Sequence, residues 1–110
     1  MSEETIEQKR SQMRKGLLEF CILLAVSEAR VYSSDILKKL KKADLLVVEG
    51  TLYPLLSRLK SQELVTYDWE ESKSGPPRKY YELTKKGRGI LTELEETWGE
   101  LHESITRLAK

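Results

Sequence analysis

The stretch VTYDWEESKSGPPRKYYELT, Val65 to Thr84, decides how the chain is read. Its first half alternates, with Val65, Tyr67 and Trp69 on one side and Thr66, Asp68 and Glu70 on the other. Its second half alternates as well, with Lys79, Tyr81 and Leu83 sharing a side. Period-two alternation marks strands with one buried face. SKSGPP between them predicts a hairpin with a loop of about six residues. With the loop centred near Gly75, Trp69 stands opposite Tyr81 and Tyr67 opposite Leu83, apolar cross-strand pairs that set register. Gly75, Pro76 and Pro77 then stiffen the hairpin tip, so less entropy is lost when it meets a partner. Alternation turns Tyr81 inward against Trp69 and Tyr80 outward.

Three helices precede the hairpin. The first is expected from about Thr5 to Glu28: polar at first, then apolar nearly all round. Leu17, Phe20, Cys21 and Leu24 fall on one face and Leu18, Ile22, Ala25 and Val26 on another, so both sides need cover. In VYSSDILKKLKKAD (Val31 to Asp44), Ser33 or Ser34 caps a second helix, Asp35 sits in its first turn, and Ile36, Leu37 and Leu40 form its buried edge. LLVV (Leu45 to Val48) is a short apolar connector. EGTLYPLLSRLKSQEL predicts a third helix from about Gly50 to Gln62, with Leu52, Leu55, Leu56 and Leu59 as a one-sided stripe. Its other face carries Thr51, Tyr53, Pro54, Ser57, Arg58, Lys60 and Ser61. Pro54 is tolerable there only if the helix starts near Gly50, so that the missing N–H falls in the first turn.

A last helix, capped by Thr84, follows the hairpin. Leu91, Leu94, Trp98, Leu101, Ile105 and Leu108 recur at spacings of 3, 4, 3, 4 and 3, a narrow a/d seam that prefers another helix to a broad core. The fold class is therefore mainly α with a two-stranded β-hairpin: a winged helix-turn-helix, residues 1–88, plus a long C-terminal dimerisation helix, residues 89–110. In such a fold the third helix enters the major groove of DNA and the wing lies along the backbone or minor groove. Thr51, Tyr53 and Ser57 offer hydroxyls to bases, and Arg58 and Lys60 offer cations to phosphates. The bland alternative is a solvated helix face; an exposed Tyr53 at a helix start argues against it. A winged helix used only to bind protein is the competing function.

The 19 cations and 18 anions of this 110-residue chain nearly cancel. Their distribution does not. Ser72 to Arg88 holds six cations (Lys73, Arg78, Lys79, Lys85, Lys86 and Arg88) against Glu82, a local charge of +5, whereas Gly89 to Lys110 carries −3. A neutral protein with such a patch binds a polyanion locally. The single cysteine, Cys21, excludes an internal disulfide and fits a reducing compartment. The longest apolar run, Leu17 to Val26, is interrupted by Glu19 and too short for a membrane span, and the polar, acidic MSEETIEQ start is not a secretory signal. A cytoplasmic protein is expected. Cys21, among Leu, Phe and Ile, is read as an inert core thiol and His102 as a rim residue; together they make no ordinary metal site. No cofactor is implied, and nothing resembles a catalytic set, so an enzyme has no support.

RKGLLEF, VYSSDIL, EGTLYPLLSRL and SGPPRKYYELTKKGR together resemble the PadR family of bacterial transcriptional regulators, over about residues 14 to 100. The single C-terminal helix looks like the compact PadR subfamily. The resemblance implies a homodimeric winged-helix repressor that binds a palindromic operator and is released by a small molecule. It implies Thr51, Tyr53 and Ser57 in the groove, Arg78 and Lys79 on the wing, and Ser33 and Ser34 beside a phosphate; Lys73 joins the wing cations. Glu49 stands where the family commonly has a small residue or proline, and Ser33-Ser34 where it often has Gly-Tyr. Trp98 is read first as a knob in a dimer seam with Leu17, Leu91, Leu94, Leu101, Ile105 and Leu108. Some drug-responsive members resemble this chain in having a tryptophan there that stacks on planar ligands. By that likeness Trp98, with Phe20 and Leu24, would wall a site for a small hydrophobic or aromatic effector.

Overall fold

A computed structural model describes residues 3–45 and 47–110. Met1 and Ser2 of the polar start, and Leu46 of the apolar connector, lie outside the described residues. The elements are α1 (Glu3–Lys15), α2 (Leu18–Val26), β1 (Val31–Tyr32), α3 (Ser33–Lys42), α4 (Glu49–Ser61), β2 (Val65–Ser72), β3 (Gly75–Leu83) and α5 (Lys85–Leu108).

The expected first helix is in fact two. At the break the Leu17 N–H reaches back only three residues, to the Arg14 carbonyl at 3.0 Å. Gly16 is a poor interior helix residue, and here the chain passes from a polar segment to one drawn into the core. Ile22, Leu23, Ala25 and Val26 of α2 pack with Ile36 and Leu40 of α3 and with Leu52, Leu56 and Leu59 of α4. Val65, Tyr81 and Leu83 of the sheet and Leu91 of α5 close the same core. Leu24 stays exposed on the opposite side of α2.

Both α3 and α4 end in the same device. Asp44 and Glu63 take φ of 63° in the left-handed region. The following N–H groups then reach back: Leu45 to the Leu40 carbonyl (2.8 Å) and Leu64 to the Leu59 carbonyl (3.0 Å). This is the Schellman arrangement, with leucines in the paired apolar positions and no glycine at the strained site. At its other end α3 is capped by Tyr32 rather than Ser33 or Ser34, and Asp35 Oδ2 accepts the Tyr32 N–H at 3.2 Å. Helix α4 begins at Glu49, so Pro54 lies in its second turn, beyond the expected first. The Gly50 carbonyl thereby loses its i+4 donor.

The sheet corrects the expected two-stranded hairpin. It has three antiparallel strands in the order β1-β3-β2, and β1, two residues long, is too short to show a period in sequence. The register is also two residues from expectation: Val65 pairs with Leu83, Tyr67 with Tyr81 and Trp69 with Lys79. An even slip keeps every side chain on its face. The turn is Lys73-Ser74, so Gly75, Pro76 and Pro77 belong to β3 rather than to the tip. Glu70 pairs with Arg78 and Ser72 with Gly75, so Glu71 alone opposes Pro76 and Pro77. That is a bulge, one of the few places a sheet accepts residues without N–H.

Helix α5 starts where α4 stops. Thr84 Oγ1 accepts the Gly87 N–H at 2.9 Å and donates to the Glu63 carbonyl at 2.6 Å. Lys86 Nζ donates to the Gln62 carbonyl at 3.2 Å, a cation at the negative end of α4. Gly87 lies so near that an added Cβ would stand 1.9 Å from the Leu64 carbonyl oxygen. Because that neighbour is backbone, Gly87→Ala is expected to cost about 3 kcal/mol. Glu63→Gly, which relieves the left-handed position, is expected to gain about 1 kcal/mol. Urea midpoints at unchanged m-value measure both.

Candidate nucleic-acid interface

The start of α3 and the wing enclose a hollow of about 560 Å³. Ser33, Ser34 and Lys38 come from α3, Tyr53 from α4, and Trp69, Pro77, Arg78 and Lys79 from the wing, with Tyr32 at the back. Five residues read from the sequence as DNA contacts, Ser33, Ser34, Tyr53, Arg78 and Lys79, meet here. The Tyr53 hydroxyl lies 3.0 Å from Ser33 Oγ, which ties α4 to the start of α3. Lys38, Trp69 and Pro77 were missed; Lys38 follows Ser34 by one helical turn, a spacing that would have found it.

A second hollow, about 280 Å³, lies between α4 and the sheet, where Ser57, Lys60 and Ser61 face Tyr67 and Lys79. Lys79 Nζ stands 4.3 Å and Lys60 Nζ 5.1 Å from the Tyr67 ring centre. An aromatic face attracts a cation, but two ammoniums on one ring repel each other. Among the described residues no carboxylate forms an ion pair with either lysine or with Arg78. The region is thus short of an anion. Lys73 is exposed at the turn.

Thr51 is exposed on α4, with Arg58 two turns on. The Arg58 side chain is 65% exposed, and its Nε lies 3.5 Å from Glu19 Oε1 of α2. That contact is too long to count as a hydrogen bond and leaves Glu19 Oε1 without one, yet it explains the carboxylate inside the apolar run.

The unexpected strand β1 brings Tyr32 beside Tyr80. The rings lie 3.9 Å apart, and the Tyr80 hydroxyl donates to that of Tyr32. That hydrogen bond, with burial and the Glu70 charge adding to it, pushes the Tyr80 hydroxyl up to about 12. Tyr80 is therefore a neutral donor at any physiological pH, and does not simply point outward. Burial raises the Tyr81 hydroxyl, and likewise the Cys21 thiol, which disfavours its reactive thiolate.

The residues read as a dimer and effector surface divide. Leu91 is taken into the protomer's own core and Leu94 packs partly against it. Beyond them the seam emerges: Trp98 is 41% exposed, Leu101 48%, Ile105 56% and Leu108 85%. Leu17 and Phe20 are half-buried, Leu24 is exposed, and the Trp98 ring lies 5.9 Å from His102. No cluster of three or more metal-ligating side chains occurs among the described residues, and no described helix is long and apolar enough to cross a membrane.

Known proteins show the same architecture. A PadR-like transcription factor from Bacteroides fragilis is 56% identical and superposes with a TM-score of 0.79, covering 92% of this chain and 98% of that one. A PadR family transcriptional regulator from Eggerthella lenta is 30% identical with a TM-score of 0.88, over 98% and 95% of the two chains. An uncharacterized protein of Lysinibacillus sphaericus is 30% identical over 99 residues, 87% of this chain and 91% of its own. The model of the transcriptional regulator PadR-like family matches residues 22–93, through the helix-turn-helix, the wing and the buried start of α5, and the chain belongs to that family.

Proposed function

We propose that this PadR-family regulator is a homodimeric repressor that holds a palindromic operator between its recognition helices and wings. The observation that carries the reading is the hollow in which Ser33, Ser34, Tyr53, Arg78 and Lys79 converge from three elements. Helix α4 presents Thr51, Tyr53 and Ser57 to base edges, while Lys60, Lys73, Arg78 and Lys79 serve phosphates. Arg58, its side chain 65% exposed beside Glu19, joins these cations. Residues 1–88 form the reading part. From 89 onward α5 supplies the dimer contact, because Trp98, Leu101, Ile105 and Leu108 are exposed apolar residues on one seam. Two-fold symmetry then sets the half-sites about 34 Å apart. A small hydrophobic or aromatic effector held by Trp98, Phe20 and Leu24 would shift the dimer geometry and release DNA. The protein works in the cytoplasm, where its DNA is.

Footprinting on DNA upstream of its own gene is expected to show a protected palindrome. Absence of any complex at low salt would leave the fold as a protein-binding module. Arg78→Ala should weaken binding to all sequences and lower the slope of log K against log salt by about 1. Thr51→Ala or Tyr53→Ala should instead blur discrimination between operator and random DNA. A changed sequence preference in Arg78→Ala at unchanged salt slope would reverse the assignment. Ile105→Glu is expected to convert the dimer to monomer in analytical ultracentrifugation, and a dimer unaffected by it would move the interface away from the α5 seam.

A further inference from the structure

Four side chains from two parts of the chain, β1 with the residue before it and β3, form one column: Arg30, Tyr80, Tyr32 and Arg78. The Arg30 guanidinium carbon lies 4.8 Å from the Tyr80 ring centre, the two rings are 3.9 Å apart, and the Arg78 guanidinium carbon lies 5.0 Å from the Tyr32 ring centre. Asp68, the cross-strand partner of Tyr80, holds the far end through Arg30 at 4.0 Å. Tyr32 is also the capping residue of α3.

We infer that Tyr32 and Tyr80 are positioning residues for DNA binding, which hold the Arg78 guanidinium aimed into the hollow beside the start of α3. The inference rests on the reading of that hollow as a DNA site. A free arginine on a wing must give up rotamer freedom when it meets a phosphate. A guanidinium already held over a ring face, its carbon 5.0 Å from the ring centre, loses less. Strand register explains why the support comes from here: Tyr80 is two residues from Arg78 on the same face of β3, and Tyr32 pairs across from Tyr80. The hydroxyl bond fixes the rings against each other, so Arg78 leans on a platform that is itself held. Planar stacking is a property of arginine that lysine lacks, although both carry the charge.

The test measures affinity for a random-sequence DNA duplex, by fluorescence anisotropy across a salt series, on the full chain. Arg78→Lys should weaken binding about fivefold when Tyr32 is present and have no effect beside Tyr32→Leu. Tyr32→Leu alone should cost about tenfold and lower the salt slope by about 1, and adding Arg78→Ala should cost nothing more. Tyr32→Phe, which keeps the ring but loses the hydroxyl bond to Tyr80, should fall between the parent and Tyr32→Leu. Should Tyr32→Leu not fold, Tyr80→Leu, which removes the ring backing Tyr32, should likewise shrink the Arg78→Lys penalty. Independent, multiplying effects of the Tyr32 and Arg78 changes, or an Arg-to-Lys penalty that persists without the ring, would overturn the inference. Failure of the unaltered protein to bind DNA at low salt would instead overturn the functional reading beneath it.

Discussion

The approach of Gly87 to the Leu64 carbonyl is the constraint on which the rest depends. A helix can pass this close to another segment's backbone only where it has no Cβ. Here the close pass coincides with the end of α4, where Glu63 turns left-handed and Leu64 drops into the core. Thr84 caps α5 and bonds to the same corner, and Lys86 adds a cation to the same helix end. The end of α4 and the start of α5 are therefore held directly against each other. A 24-residue helix is about 36 Å long, so a small rotation at this corner would become a large displacement at its far end.

The site is a product of convergence rather than of any single motif. The start of α3, the outer face of α4 and the wing each contribute little alone. Together they leave three wing and helix cations, Lys60, Arg78 and Lys79, over aromatic rings and, among the described residues, without carboxylate partners. Rings hold cations without neutralising them, so the positive potential stays available to an outside anion. The nearly zero net charge of the chain conceals this, because the acidic face lies on α5.

Much of this was legible in the sequence. The leucine stripe of α4 follows from spacing and the Thr84 cap from residue type, but the same spacing does not tell that Leu91 and Leu94 join the chain's own core while Trp98 to Leu108 stay exposed. The family likeness was legible in TLYPLLSRL and GPPRKYY, and with it the winged-helix expectation. What failed had local causes. Glycine and proline in sequence point to the hairpin tip, whereas a bulge accommodates the prolines inside β3 and the turn falls on Lys73-Ser74. Neither turn residue has positive φ, so the tight mirror-image turns that usually announce a hairpin are absent. Strand β1 has two residues and so no period to read, and without it the Tyr32–Tyr80 pair could not be seen. The Arg58–Glu19 contact joins residues far apart in sequence, and no helical spacing foretells such a pair.

Pro76 and Pro77 have a consequence beyond shaping the wing. Strand β1 covers β3 only at Tyr80 and Tyr81, so the length of β3 nearer the turn has an open border. An open border of unpaired N–H and C=O groups is a template for a strand from another molecule. Two successive residues that lack an N–H interrupt that template where the wing projects farthest. The same pair of rings that shapes the bulge thus keeps neighbouring wings from zipping together, and protects solubility at a place where an exposed tryptophan would otherwise favour aggregation.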